Sequence, residues 1–306
     1  MKDFSNFLDV AFTITFVIAY YQVLMVYLSI NVFNRDGVIK ILAYFDHLVT
    51  DRKCEISEIR QRIFSGILKN ALLFSRMFIT GLGSVGFLVN CYDLAVTNFT
   101  APMLFLIPGI PQDSIFLRPV NIIFQVTLYF ATMGMIIISD AVIMIMIMYI
   151  QAELLSITEL LSHLDIEQIV VVRGSRTLKI VHFQHKCLLD EFQNLSKSFW
   201  HTYFHKLLAI MMYLCFTFFT FQSINSSIIL AVLIAISEVW EVFILCYFGQ
   251  IIRNASEAMS VALYMSKWYL MDVADQKNLL MLMLRFKYPF KVETFELTEN
   301  PTSFMP

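Results

Sequence analysis

Residues 120–152 read VNIIFQVTLYFATMGMIIISDAVIMIMIMYIQA and contain a single charged side chain, that of Asp140. A helix rises about 1.5 Å per residue, so this run is longer than a hydrocarbon core of about 30 Å requires. The stretch therefore predicts a membrane-spanning helix that continues beyond the bilayer.

The composition of the whole chain also indicates a membrane protein. Of the 306 residues, 58% are hydrophobic and 15% are charged, whereas soluble domains are about half apolar and about a quarter charged. The net charge of −2 gives no reason to expect nucleic acid as a partner. Five scattered cysteines indicate neither a disulfide framework nor a zinc site. A lipid bilayer is the expected surrounding.

Four further apolar segments have the length of a bilayer-spanning helix. The first is uncharged from Val10 to Asn34 and is too long for a signal-peptide core, so we interpret it as a retained span. A polar cluster at 222–227 divides the long uncharged stretch after Lys206 into a hairpin. The prediction is an all-α integral membrane helical bundle with about five spans, at about 10–33, 71–92, 120–150, 203–222 and 228–248.

Lysine and arginine are distributed unevenly between the connecting segments. Such residues accumulate on the cytosolic side of span ends. They are frequent after the first span, before the fourth span and after Gln250, whereas the opposite side carries only Lys2 and Arg118. This asymmetry predicts a multi-pass plasma-membrane protein with its N-terminus outside and its C-terminus in the cytosol. The sequon at Asn98 then faces outward, where glycosylation is expected.

Apolar residues at helical spacing continue outside the predicted spans. These segments are predicted to form long cytosolic helical extensions that pack on one another, and the apolar run Leu279–Leu284 is expected to be buried by other helices or by another subunit. Residues 1–306 are interpreted as one membrane domain, in which 249–306 form a cytosolic helical anchor region and tail. The predicted extensions are 153–164, 178–199, 251–267 and 273–286.

A glycine motif lies in the second span. Gly81-Leu-Gly83-Ser-Val-Gly86 has the spacing of a dinucleotide-binding loop, but that loop requires a preceding strand and a βαβ unit. Close helix packing through small residues is the preferred interpretation inside an apolar span.

Two histidine pairs have spacings that suit a metal on a helix face, His182 with His185 and His201 with His205. A membrane di-iron enzyme requires several histidine boxes with adjacent histidines, and the six histidines here include no adjacent pair. We therefore expect no metal site, no cofactor and no enzymatic activity.

Three carboxylates lie within or near the membrane. Asp140 belongs to the third span, and Glu238 and Glu241 share a face near the cytosolic end of the last span. An ionised group in this setting is costly unless it faces protein or water. The open alternatives are an aqueous vestibule, an ion pair with a cytosolic Lys or Arg, and a hydrated interfacial position.

An aromatic stripe marks the outer half of the first span. Phe12, Phe16 and Tyr20 recur at helical spacing, a pattern typical of helix packing or a lipid face as well as of a ligand wall. Aromatic and methionine side chains suit small apolar ligands. The candidate ligand-binding set is Phe12, Phe16, Tyr20, Phe87, Tyr129 and Met133.

The C-terminal third carries a family resemblance. A series of short motifs resembles, in order and spacing, the C-terminal signature of insect odorant receptors. The motifs are Cys246-Tyr-Phe-Gly249, Ser256-Glu257, Ala262-Leu-Tyr264, Trp268-Tyr269, Lys277 and Pro289. The resemblance implies a ligand-gated cation channel subunit that binds a volatile odorant and forms a hetero-tetramer with an olfactory co-receptor. Tyr264, Trp268 and Tyr269 would then belong to the subunit anchor.

The chain departs from the family pattern at both ends. That family has seven spans, so the five spans here correspond to its second through sixth. In the family the pore-lining helix would follow Pro289, whereas the residues after Pro289 in this chain are largely polar. A nonconducting truncated receptor is therefore one alternative to an odorant-gated subunit. The others are a gustatory receptor of the same superfamily, a membrane enzyme and a transporter.

Overall fold

The computed structural model describes residues 14, 17–18, 20–50, 56–96, 117–223, 228–287 and 290. Every regular element in these ranges is helical, which confirms the all-α prediction. A helical segment at 20–28 continues into a π-helical turn at Ser29–Phe33. The α-helices are α1 (Arg35–Thr50), α2 (Ser57–Val96), α3 (Leu117–Ser162), α4 (Glu167–Ser223), α5 (Ile228–Met265) and α6 (Val273–Phe286), with 3-10 turns at His163–Asp165 and Trp268–Leu270.

Four of the predicted spans lie inside these helices. Segments 71–92, 120–150, 203–222 and 228–248 fall within α2, α3, α4 and α5, so their helical conformation is confirmed. Within the described ranges, two stretches are long and apolar enough to cross a bilayer, Ser57–Gly81 and Ile122–Asp165. The number of crossings stays a prediction.

The helices that carry the third and fourth spans are much longer than a bilayer. The 46 residues of α3 extend for about 69 Å and the 57 residues of α4 for about 86 Å, against a hydrocarbon core of about 30 Å. Ile166 has extended backbone angles, φ −91° and ψ 117°, and separates the two helices. The predicted continuation of the third span as a helix is confirmed.

One predicted element is not separate. The segment 251–267 was expected to be its own helix, but α5 continues without a break through Gly249 to Met265. Glycine disfavours a helix interior by about 1 kcal/mol relative to alanine. The flanking Phe248 and Ile252 are fully buried, and their packing outweighs that local preference.

Residue contacts divide the chain into two compact units. Unit 1 comprises Met1–Leu28, Arg62–Ala152 and His205–Phe248, and unit 2 comprises Ser29–Gln61, Glu153–Phe204 and Gly249–Pro306.

In unit 1, Ile18, Ala209 and Tyr213 form a buried cluster. The ring of Phe74 packs edge-on against that of Phe248, with 5.5 Å between centroids. The close packing expected at the glycine motif is absent for Gly81 and Gly83, because a Cβ atom at either position would meet no described atom within 4 Å.

The core of unit 2 follows the predicted helical spacing. The apolar faces expected on the end of α3 and on the first part of α4 are both buried, which confirms the prediction. Between these helices and the turn before α6, the backbone N–H of Lys267 donates to the carbonyl of Leu164 at 3.1 Å. Met271 packs over Gly174 at 3.4 Å. The buried positions are Leu154, Ile157, Leu160, Leu161, Leu164, Leu178, Val181, Leu188, Phe192, Leu195 and Phe199.

Candidate functional site

A cluster of three charged side chains lies buried in unit 1. Asp140 comes from α3, Lys206 from α4 and Glu241 from α5. The Lys206 ammonium donates to Asp140 Oδ2 at 2.5 Å and lies 3.2 Å from Glu241 Oε2. Their side chains are 8%, 4% and 11% exposed respectively. One cation is therefore shared by two carboxylates that belong to different helices.

The cluster decides between the alternatives left open for two of the intramembrane carboxylates. Asp140 and Glu241 lie beside the buried Lys206 ammonium, at 2.5 and 3.2 Å, rather than hydrated at the surface. Glu238 lies on α5, and its side chain is outside the described residues. The role of Lys206 was missed by sequence reasoning, which counted it only among the cations of the cytosolic connection before the fourth span. The available signal was its position at the very edge of an uncharged stretch, where desolvation makes a partner necessary.

A second buried ion pair lies in unit 2. Arg60 on α2 makes a two-pronged contact with Glu153 on α3, through Nε to Oε2 at 2.7 Å and Nη2 to Oε1 at 2.6 Å. The same Nη2 donates to Gln184 Oε1 on α4 at 3.3 Å. Both charged side chains are almost fully buried. Sequence reasoning counted Arg60 only among the cations of the cytosolic loop after the first span, and it did not predict that the side chain is buried.

Tyr44 on α1 lies in the electrostatic field of this pair. Burial is the main cause that raises the pKa of its hydroxyl above the ordinary value, and the Glu153 carboxylate adds to the shift. Its hydroxyl oxygen is buried without a hydrogen-bond partner among the described residues. The phenol is held neutral beside the ion pair.

The histidine pairs do not share common sites. In unit 1, His205 Nδ1 lies 2.9 Å from the Tyr21 hydroxyl. In unit 2, the His185 ring packs against Phe286 and Phe290, with centroids 4.4 and 5.5 Å away. Burial lowers the pKa of His185 to about 4, and His182 and Arg285 act in the same direction. The described residues contain no group of three or more His, Cys, Asp or Glu side chains placed to hold a metal.

The candidate ligand-binding residues are only partly within the described ranges. Tyr20 and Phe87 are 60% and 57% exposed, and they make no ring contact with each other. Met133 on α3 is half-buried. Phe12 and Phe16 lie outside the described residues, as does the side chain of Tyr129.

A shallow groove in unit 1 contains none of the candidate ligand-binding residues. It is lined by residues of α2 and α3 that include Phe64, Ala71, Tyr149 and Ala152, and its cavity volume is about 10 Å³. Sites for small molecules usually enclose about 300–1,000 Å³. The groove is therefore smaller than a typical ligand site.

The candidate anchor residues lie on the surface of unit 2. Tyr264 at the end of α5 is 67% exposed, and Trp268 and Tyr269 in the following turn are 39% and 60% exposed. The rings of Trp268 and Tyr269 meet edge to face, with 6.3 Å between centroids. The three aromatic side chains of Tyr264, Trp268 and Tyr269 thus remain exposed to different degrees within one chain.

The neighbouring helix α6 adds an apolar face to this surface. In the run Leu279–Leu284, Leu279 and Leu282 are buried, whereas Leu280, Met281 and Leu284 are 58%, 66% and 59% exposed. Within its own chain the run is covered on one side only, so burial of its other face by another subunit, one of the two expected alternatives, stays a prediction.

Comparison with known proteins places these features in a family. Residues 3–299 match the family model described as 7tm odorant receptor. The chain belongs to this odorant receptor family. As a member of it, the protein is a multi-pass membrane receptor of olfaction, and the resemblance found in its C-terminal signature is confirmed.

Solved structures share the fold of this odorant receptor. The insect olfactory receptor OR5 from Machilis hrabei in complex with eugenol matches with a TM-score of 0.71 and 14% identity, over 95% of this chain and 75% of that one. A second structure of the same receptor matches with a TM-score of 0.68 and 13% identity, over 93% of this chain and 74% of that one. Among curated proteins, none matches significantly.

Proposed function

We propose that this odorant receptor is the ligand-binding subunit of an odorant-gated cation channel that it forms with an olfactory co-receptor. The observation that carries the proposal is the family match over residues 3–299. The receptor lies in the plasma membrane with its N-terminus outside and its C-terminus in the cytosol, and it works by binding and gating rather than by catalysis.

The ligand is a volatile small organic molecule. A solved receptor of the same fold has been described in complex with eugenol, which supports a small-molecule ligand for the fold. The proposed pocket is formed by the outer parts of the spans that carry Tyr20, Phe87, Tyr129 and Met133, together with Phe12 and Phe16. Aromatic and thioether side chains bind such ligands through dispersion and apolar burial.

The test is electrical. The chain is co-expressed with an olfactory co-receptor in cells that have no odorant response, and whole-cell current is recorded during application of a panel of volatile compounds. The co-receptor alone is the matched control. A cation current that requires both chains and a subset of the compounds supports the proposal. Surface-expressed chain that adds no odorant response to the co-receptor contradicts it.

The pocket is tested separately once an active compound is found. Met133→Ala is expected to raise the half-maximal concentration about tenfold, since a buried methionine contact is worth on the order of 1–2 kcal/mol. Met211→Ala is the matched control, because Met211 is 59% exposed on a span. Equal responses of the two variants would remove Met133 from the pocket.

A further inference from the structure

The charged cluster of unit 1 has more negative than positive charge. It consists of one ammonium, from Lys206, and two carboxylates, from Asp140 and Glu241. Among the described residues, every ion pair of these two carboxylates leads to the same Lys206 nitrogen. With both carboxylates ionised, the cluster carries one uncompensated negative charge.

The two carboxylates are not equivalent. Asp140 Oδ2 accepts a hydrogen bond from Lys206 Nζ. Glu241 Oε2 is 3.2 Å from the same nitrogen, yet it is buried and makes no hydrogen bond of acceptable geometry in the described structure. Lys206 thus lies closer to Asp140 than to Glu241, and Glu241 is the weaker of its two partners.

The surroundings make an uncompensated charge costly. The three side chains are at most 11% exposed and lie between helices of a membrane receptor. An unpaired buried ion costs several kcal/mol even after relaxation. The nearest further titratable group along α4 is His205, which is occupied with the Tyr21 hydroxyl. A second positive charge is therefore needed at the cluster, and a proton is the smallest one.

We propose that the Asp140–Lys206–Glu241 cluster is a proton-binding site, in which Glu241 holds one proton in the folded receptor at neutral pH. The proton comes from hydronium, an O–H bond forms on a carboxylate oxygen of Glu241, and a water molecule is released. The cluster is then neutral, and the Glu241 hydroxyl becomes a hydrogen-bond donor between the helices. This proposal does not depend on the odorant or on channel activity.

Infrared difference spectroscopy on the purified full chain in lipid nanodiscs tests the site. The Glu241→Gln spectrum is subtracted from the wild-type spectrum at neutral pH, and the carbonyl-stretching region of protonated carboxylic acids is examined. We expect one band, which shifts when glutamate carries a ¹³C-labelled side chain and does not shift when aspartate carries the label. Glu257→Gln is the matched control, because Glu257 on the same helix is half-exposed and paired with Arg253; it is expected to leave the band unchanged.

A second variant tests the charge argument itself. Asp140→Asn leaves one carboxylate for one ammonium, so Glu241 is expected to ionise, pair with Lys206 and lose the band. Absence of the band in folded wild-type protein overturns the proposal, as does its persistence in folded Asp140→Asn. A band that follows aspartate labelling places the proton on the wrong residue and overturns the proposal. A band that is absent in sodium and appears only when sodium is exchanged for a large organic cation assigns the compensating charge to a metal ion and also overturns it. Labelling uses the wild-type chain, so the absence of any glutamate-dependent band overturns the proposal even if a variant fails to fold.

Discussion

At the scale of single residues, a buried ion pair joins helices of unit 2. Arg60 and Glu153 lie far apart in sequence, yet each satisfies the other through two hydrogen bonds in a site that is almost dry. Desolvating two ions costs about as much as their attraction returns, so such a pair contributes little net stability. Removing only one of the two partners is strongly destabilising, because the remaining ion stays buried without a partner.

This asymmetry gives a prediction for Arg60. Arg60→Met is expected to lower the free energy of unfolding by about 3–5 kcal/mol, whereas Arg60→Met combined with Glu153→Leu recovers most of that loss. Thermal unfolding in detergent measures both variants. Arg253→Met is the matched control, since the exposed Arg253–Glu257 pair is worth less than about 1 kcal/mol. A double variant as unstable as the single one would contradict the role of the unpaired charge.

His185 gives a prediction of pH dependence. Its pKa falls to about 4 in the folded protein, chiefly because it is buried, while an unfolded histidine titrates near about 6.5. The unfolded state therefore binds more protons below pH 6.5. Stability is expected to be constant above about pH 6.5 and to fall by up to about 3 kcal/mol as the pH drops toward about 4. Unfolding measured across this range is the test.

Two variants separate His185 from other titrating groups. His185→Leu removes the imidazole from its contacts with Phe286 and Phe290 and is expected to flatten the stability profile between about pH 4 and about 6.5. His47→Gln changes an exposed histidine and is expected to leave the slope as it is. An unchanged slope in His185→Leu would show that another group is responsible.

At the scale of the element, α6 has two faces with different roles. Asp272 caps its first turn, with Oδ1 accepting from the Val273 N–H at 2.8 Å. Leu282 is 3% exposed and Leu284 is 59% exposed, although the two are chemically identical and two positions apart. The helix is thus fixed to its own chain along one face and leaves the other available.

Leu282→Ala is expected to cost about 2–5 kcal/mol of stability, because the truncation leaves a cavity in a packed core. Leu284→Ala serves as the control and is expected to change stability by about 0.5 kcal/mol or less. Denaturant or thermal unfolding of the single chain distinguishes them. Similar losses for both variants would mean that Leu284 is covered in the isolated protein.

The elements also show how far sequence reasoning reaches. The positions of α2 to α6 follow from uncharged runs and 3.6-residue spacing, since both signals are local and strong. The continuation of the last span into 251–267 could not be predicted from these signals. Gly249 disfavours a helix interior, and only the tertiary burial of Phe248 and Ile252 outweighs that preference. The pairing of Lys206 with Asp140 and Glu241 could not be predicted either, because it joins residues from three helices and depends on their packing.

For the whole molecule, the distribution of cations predicts a definite orientation. Asn98 is expected to be glycosylated and the C-terminus to be cytosolic. Asn98→Gln should then abolish a glycosidase-sensitive shift in electrophoretic mobility, while Asn254→Gln, at a sequon predicted to be cytosolic, should not alter it. A C-terminal epitope should stain only permeabilised cells. Staining of intact cells would reverse the proposed topology.

We propose that the exposed aromatic surface of unit 2 takes part in subunit assembly. Trp268, Tyr264 and Tyr269 are large aromatic groups that one chain leaves uncovered beside the free face of α6, and residues of this kind dominate binding energy at protein interfaces. Trp268→Ala is expected to weaken association with the co-receptor about tenfold, equivalent to about 1.4 kcal/mol.

Co-purification of a tagged co-receptor measures this association, and Phe218→Ala is the matched control. Phe218 is also an aromatic residue, 70% exposed, but it lies on a predicted span and is expected to face lipid. Trp268→Ala protein with wild-type thermal stability and reduced co-receptor recovery supports an anchor at this surface. Undiminished recovery with all three aromatics replaced by alanine would instead show that the subunits meet elsewhere, and the exposed face of α6 would then need another partner.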